Sequence, residues 1–300
     1  MRIGILIKSF EKLENWELRI IENIKNDPSL NLILLIKDGG NKKNFRKTPL
    51  FSIIPKIIFK AQKILERKLF FKLQYTVQRN SLLDYLSTIP SIEVKPKKTG
   101  YVDLFNQQDC SIIKKYELDI ILRHEFGIIK GPILNSSKFG IWSFHHGDNS
   151  INRGGPAGFW EIVLKDLCVG VTLQKLTEEL DGGMVINKAY FNRHWAYMKT
   201  RDLIYEGSVS LLFKSIKELN QNRLSYKKSP VYYKPLYKSP GLSPLFQYLF
   251  HFYFTLTKKC FQRISSKLFK IRFYCWTFFI SNGDFLNSTL HRLKPVKPPK

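Results

Sequence analysis

The first 36 residues constrain the fold more than any other stretch. Arg2-Ile3-Gly4-Ile5-Leu6-Ile7 is a short apolar run of the kind that forms a buried strand. Trp16, Leu18, Ile20, Ile21 and Ile24 then recur at roughly helical spacing, and Asp27-Pro28 ends that helix. Leu30 to Ile36 is a second apolar strand, closed by Lys37-Asp38-Gly39-Gly40. Strand, helix and strand at this spacing make a βαβ unit, with parallel strands and a right-handed crossover. The expected fold class is α/β. No G-x-G-x-x-G lies in the first turn, so a dinucleotide is not supported.

The chemistry-bearing stretch runs from Gly140 to Gly183. A strand, Gly140-Ile141-Trp142, delivers Ser143, His145, His146 and Asp148. A loop follows with Arg153, Gly154, Gly155 and Pro156, then an amphipathic helix with Phe159, Trp160, Ile162 and Val163. A second strand, Gly170 to Gln174, leads to Glu178, Glu179 and the acidic turn Asp181-Gly182-Gly183. Neutral imidazole is the commonest general base near neutral pH, and a carboxylate on its far nitrogen fixes the tautomer. Those two roles fall to His145 and Asp181, 36 residues apart. His145 and His146 adjoin, so in extended chain they point to opposite sides and only one faces a pocket easily. A metal set of His145, His146, Asp148 and Asp181 lacks the helical or hairpin spacing of zinc ligands, and no metal is expected. Arg153 is placed to hold a phosphate or carboxylate, beside glycines that allow close backbone approach. Equally, it can staple its own loop by bonding carbonyls. A Ser143-His145-Asp181 hydrolase triad competes, but no G-x-S-x-G elbow is present.

In order and spacing this stretch resembles the folate-dependent formyltransferases, the group of glycinamide ribonucleotide, methionyl-tRNA and sugar-nucleotide N-formyltransferases. The residues that carry the resemblance are Ser143-Phe144-His145 at a strand end, the Arg153-Gly154-Gly155-Pro156 loop, Gly170-Val171-Thr172, and Leu180-Asp181-Gly182-Gly183. One departs from the family pattern: Ser143 stands where the family has asparagine. The resemblance implies a Rossmann-like, mostly parallel sheet with helices on both faces. It also implies 10-formyltetrahydrofolate as formyl donor and a small-molecule amine as acceptor, an amino sugar on a nucleotide or lipid carrier being one option. It selects His145 as the catalytic imidazole, Asp181 to orient it and Ser143 as oxyanion donor. It lines the folate pocket with Arg123, His124, Glu125, Phe126, Gly127 and Leu180, and the acceptor site with Arg153, Gly154, Gly155 and His146. Serine offers one short O–H donor in place of an amide NH₂, and losing an oxyanion donor costs ~2.7–4 kcal/mol. The alternative is a formyltransferase-like domain without catalysis, acting as a binding or membrane-associated module in glycan or lipid processing.

Charge divides the chain differently. The 300 residues carry a net charge of +25. Residues 41–80 hold +10 of it and residues 221–300 hold +14, while 101–220 are net neutral. Basic surfaces attract anionic membrane, nucleic acid or acidic substrates; a Lys-rich solvated face is the plain alternative. From Lys56 to Asn80 a basic amphipathic helix is expected, with Ile57, Ala61, Ile64, Leu65, Leu69 and Leu73 on one face. Its ordinary width favours packing on the sheet over lying on a membrane. Leu245 to Ile280 mixes aromatic and basic residues and is a second candidate for peripheral contact with an anionic membrane. Nucleic acid is the lesser option, since the tail lacks the alternating strands of the β-barrel that tRNA-formylating relatives append. The expected organisation is an α/β domain over 1–220, a Pro/Tyr-rich linker over 221–244 and a basic aromatic helical segment over 245–300. The run Met1–Ile7 is too short for a signal peptide, and Cys110, Cys168, Cys260 and Cys275 show no paired metal spacing. A reduced, cytoplasmic protein is expected, peripheral at most to the inner face of the membrane.

Overall fold

A computed structural model of the chain describes residues 1–10, 13–40, 53–70, 79–179, 183–228 and 236–281, the last fifteen as helical backbone only. The chain divides into two compact units, Met1–Tyr248 and Leu249–Lys300.

The strands of the first unit, among the described residues, are β1 (Arg2–Ile7), β2 (Asn31–Asp38), β3 (Ser91–Val94), β4 (Lys97–Thr99), β5 (Val102–Leu104), β6 (Ile120–Arg123), β7 (Ile128–Lys130), β8 (Ile141–His145), β9 (Cys168–Lys175) and β10 (Met184–Asn192). Seven form the main sheet in the order β10-β9-β8-β6-β1-β2-β3. The five strands from β3 to β8 pair in parallel, and β9 turns the edge antiparallel. The fold is therefore α/β with a Rossmann-like, mostly parallel sheet. Short strands β4, β5 and β7 make a second sheet.

The helices are α1 (Asn15–Asn26), α2 (Ile53–Phe70), α3 (Arg79–Thr88), α4 (Gln107–Lys114), α5 (Phe159–Val163), α6 (Tyr197–Asn220) and α7 (Leu242–Ser281). Helices α1, α3 and α6 lie on one sheet face and α4 on the other. Ile3, Ile5 and Ile7 of β1 pack with residues of α1, α3 and α6, whereas Leu6 packs on the other face with Cys110 and Ile113 of α4. That alternation follows from the period of two in a strand, and each fully buried isoleucine contributes about 2 kcal/mol.

One helix departs from expectation. Helix α2 packs on α6, not on the sheet. Its buried residues are Pro55, Phe59, Gln62 and Glu66, so the expected apolar face is turned outward: Ile57 is 61% and Ile64 48% exposed. Leu73 lies outside the described residues. The cause is Glu66. Helix α6 starts after Ala196, which offers no side-chain cap. The Glu66 carboxylate supplies it, accepting from the Met198 N–H at 2.8 Å, from the Tyr248 hydroxyl and from Gln62 Nε2 at 3.0 Å. Uncapped helix N–H groups need such a partner, and meeting that need rotates α2 so that its polar pair faces inward. Thr200 sits inside this helix and bonds the backbone of His194.

Residues on either side of 229–235 run along the first unit in extended form. Lys227 bridges to Val185, and Tyr237 bridges to Gly154.

Candidate functional site at the carboxyl rim of the parallel strands

From β1 the chain steps outward through β2 and β3, then returns to the other side of β1 for β6 and β8. At such a reversal the carboxyl ends of neighbouring strands open a crevice, the usual ligand position in open α/β sheets. Leu6 of β1, Arg123 of β6 and Ser143 of β8 stand in one row across it.

The loop after β6 is bound inward. Arg123 donates through Nε and Nη2 to the Phe126 carbonyl at 3.2 and 2.7 Å, and through Nε to the Gly127 carbonyl at 3.0 Å. Its Nη1 donates to Ser143 Oγ at 2.9 Å. Burial lowers the Arg123 pKa, and the nearby Asp103 carboxylate works against that shift. Asp103 also accepts from the Gly127 N–H at 2.6 Å. A β-carbon at Gly127 would come within 2.4 Å of the Tyr101 carbonyl, so only glycine fits. Phe126 is buried against Phe105. The Glu125 carboxylate accepts from the N–H groups of Lys8 and Ser9 at 3.0 and 3.1 Å, closing the end of β1. His124 stacks on Trp16 and places Nδ1 3.1 Å from Glu17, whose other oxygen caps α1. With a carboxylate at Nδ1, the neutral ring keeps its acceptor lone pair on Nε2.

The loop after β8 is built to present a ring. His145 Nε2 lies 2.8 Å from the Asn152 carbonyl. A carbonyl can only accept, so Nε2 carries a proton, and in the neutral ring Nδ1 is the acceptor nitrogen. Gly147 makes this contact possible: a β-carbon there would come within 3.2 Å of His145 Nε2 and 3.1 Å of the Asn152 carbonyl. Thr172, paired with His145 across β8 and β9, donates to the Gly147 carbonyl at 3.0 Å. Gly170 lets Asp148 approach; a β-carbon would stand 2.9 Å from the Asp148 nitrogen. The Asp148 carboxylate then accepts from Lys188 Nζ at 2.6 Å, Ser150 Oγ at 2.6 Å and Tyr190 Oη at 2.9 Å. Burial pulls its pKa up, but these donors outweigh burial and hold it at about 2. Lys188 and Tyr190 went unnoticed in the sequence. Their i, i+2 spacing on β10 puts both on one face, which was the available signal.

His146 points the other way. Its ring packs among Trp16, Phe144 and Tyr205 at centroid distances of 5.1, 5.9 and 4.4 Å. Burial, with His145, Arg201, Arg123 and His124 nearby, pushes its pKa down to about 3. The Nε2 atoms of His124 and His146 are buried and have no hydrogen-bond partner among the described residues.

Ser143 is 1% exposed beneath the rim. Arg153 donates to the Asn149 carbonyl at 3.3 Å. Gly154 adopts φ +75° and packs on the Tyr237 carbonyl, where a β-carbon would approach to 2.3 Å. Gly155 has φ +71°, and Trp160 beside it donates to the Lys238 carbonyl at 3.0 Å. Asp181 and Leu180 lie outside the described residues. Thus Arg123 and Ser143 meet, His145 stands two residues further on the same strand, and the Arg153 loop is lined by residues 236–238.

No known protein-family profile and no curated protein matches the chain. Among solved structures, a glycinamide ribonucleotide transformylase from Symbiobacterium toebii superposes with a TM-score of 0.49 at 13% identity, covering 77% of this chain and 93% of the other. A sugar N-formyltransferase from a Shewanella species gives 0.49 at 13%, covering 84% and 87%. WlaRD, a sugar 3N-formyl transferase, gives 0.47 at 16%, covering 79% and 69%.

Proposed function

We propose that the chain transfers a formyl group from 10-formyltetrahydrofolate to the amine of a small molecule, with an amino sugar on a nucleotide or lipid carrier as the first acceptor to test. One observation supports this above the others. The motif residues Gly170 and Thr172, together with Gly147, shape the loop that holds the His145 imidazole, Nε2 anchored, at the rim. A strand motif that serves an imidazole in this way is what formyl transfer from a folate requires of the motif set.

The rim suits a folate donor in its chemistry. His124 Nε2 is a buried acceptor without a protein partner among the described residues, and the amino and ring N–H groups of a pterin are donors. His124, with backbone groups of Glu125 and Phe126, would hold the pterin, and Leu180 would border it. The donor supplies the activated formyl carbon. His145 Nδ1 takes the proton that the attacking amine sheds as the new C–N bond forms. It returns that proton to the departing donor nitrogen. Ser143, whose oxygen already accepts from the Arg123 guanidinium, donates its polarised hydroxyl to the developing oxyanion. Asp181 stabilises the imidazolium formed once Nδ1 has taken up the proton, and Arg153, Gly154 and Gly155 border the acceptor.

A second reading keeps the fold and drops the reaction. Ser143 is closed to solvent, and Tyr237 and Lys238 lie along the glycines of the acceptor loop. Both features favour a formyltransferase-like binding module in glycan or lipid processing. Incubation with 10-formyltetrahydrofolate and a panel of free and nucleotide-linked amino sugars, read by mass spectrometry, separates the two. A product heavier by one formyl group is expected. Absence of product together with absence of folate binding would leave only the binding module.

A further inference from the structure

Helix α2 turns its charged and apolar residues to solvent together. It carries Lys56, Lys60, Lys63, Arg67 and Lys68, and its one acidic residue, Glu66, is buried against the α6 start. The outward surface is thus positive throughout. At 100° per residue, Ile54, Ile57, Ala61 and Ile64 fall within an arc of about 80°, and Lys56, Lys60, Lys63 and Arg67 form the adjoining band. Ile54, Ile57 and Ile64 are 41%, 61% and 48% exposed. Exposed isoleucines in a row are costly in water, and they are spaced as a helix needs to bury one side at an interface.

We propose that α2 docks on an anionic lipid surface, its isoleucine row entering the boundary between headgroups and acyl chains while the flanking lysines and Arg67 meet lipid phosphates. Charge complementarity selects this occupant. An apolar row alone would suit a second copy or a protein groove; an apolar row edged by four cations, with Lys68 within it one turn past Ile64 and no accessible acid, suits a negative, fluid surface. Among the described residues no helix is long and apolar enough to cross a membrane, so the contact is peripheral. The second unit repeats the composition on its own helix. Phe250, Tyr253, Phe254, Phe261 and Ile264 of α7 are exposed within an arc of about 100°, with Lys258 at one edge, Arg263 beyond the other and Lys259 on the opposite face. Residues 249–266 contain no acidic side chain. A single basic amphipathic helix binds reversibly, and a second such element is what makes peripheral attachment stable.

Flotation of the full chain with phosphatidylcholine vesicles, with and without phosphatidylglycerol, tests the proposal. Binding to the anionic vesicles should be at least tenfold stronger than to neutral ones and should fall on raising salt from 0.1 to 0.5 M. The double variants Ile57→Ser/Ile64→Ser and Lys60→Gln/Lys68→Gln touch exposed residues and should keep the wild-type melting temperature, and each should weaken binding roughly tenfold. A Phe250→Ser/Phe254→Ser variant separates the helices. The proposal is overturned if anionic vesicles do not carry the protein, or if loss follows the α7 variant alone. It is equally overturned if both α2 variants bind like wild type, or if they abolish dimerisation or RNA binding in place of flotation.

Discussion

The loops after β6 and β8 begin side by side at the same rim, and they are built for opposite purposes. The β6 loop turns its polar groups inward. Arg123 holds the Phe126 and Gly127 carbonyls, Asp103 holds the Gly127 amide, and Glu125 holds the end of β1. The β8 loop is held from outside, by Thr172, Lys188 and Tyr190 of the next two strands. That support holds the His145 ring at the rim through Nε2. A site of this kind needs a stiff floor and a positioned reactive group; here the two duties fall on adjacent strand ends.

The comparison can be broken by exchanging the consequences. Replacing His145 with alanine should lower formyl transfer by roughly 10²–10⁴-fold, the span of a general base, with little change in melting temperature. Arg123→Met should act first through the fold, any loss of activity coming with a loss of stability. It strips two buried carbonyls and Ser143 of their donor and leaves Asp103 uncompensated, so urea unfolding should show a loss of about 3–5 kcal/mol. Should Arg123→Met fold normally and lose only activity, the β6 loop is part of the reactive machinery and the division fails.

His146 sharpens the contrast within one strand. Its folded pKa of about 3 lies below the unfolded value of 6.5. The unfolded chain therefore binds the proton first, and stability is full above pH 6.5 and lost as pH falls toward 3. At pH 5 the loss from this group is about 2 kcal/mol relative to pH 7. Thermal melts of His146→Phe should lack that part of the pH slope; an unchanged slope would show that the ring is not buried neutral. The smallest effect belongs to Glu66. Burial raises its pKa, against the hydrogen bonds from Met198 and Tyr248. Ionising it costs stability as pH rises from the unfolded value through the folded one. Glu66→Gln should therefore flatten stability over that window, with a change at neutral pH of no more than about 1 kcal/mol. A larger loss would mean that the second carboxylate oxygen, which an amide lacks, is needed at the start of α6.

Much of this was legible in the chain. The apolar runs of β1 and β2 and the helix between them pointed to the parallel sheet because burial on both faces writes itself as continuous hydrophobicity. The opposed directions of His145 and His146 follow from strand pleat alone. What escaped were long-range partnerships. Nothing local in 53–70 shows that Glu66 serves a helix more than 130 residues away, so the wetter face of α2 looked like the buried one. Asp148 looked like a candidate ligand because Lys188 and Tyr190 lie forty residues further on. Arg123 read as a pocket residue since its three carbonyl and hydroxyl acceptors are set by loop geometry, which composition does not encode.

The most direct test of the account is the tautomer of one ring. Imidazole NMR on ¹⁵N-histidine-labelled protein at pH 7 should show His145 protonated at Nε2 with an unprotonated Nδ1, and the Nδ1 signal should move when 5-formyltetrahydrofolate and an amino sugar are added together. A His145 proton on Nδ1, or a shift confined to His124 and His146, would contradict it.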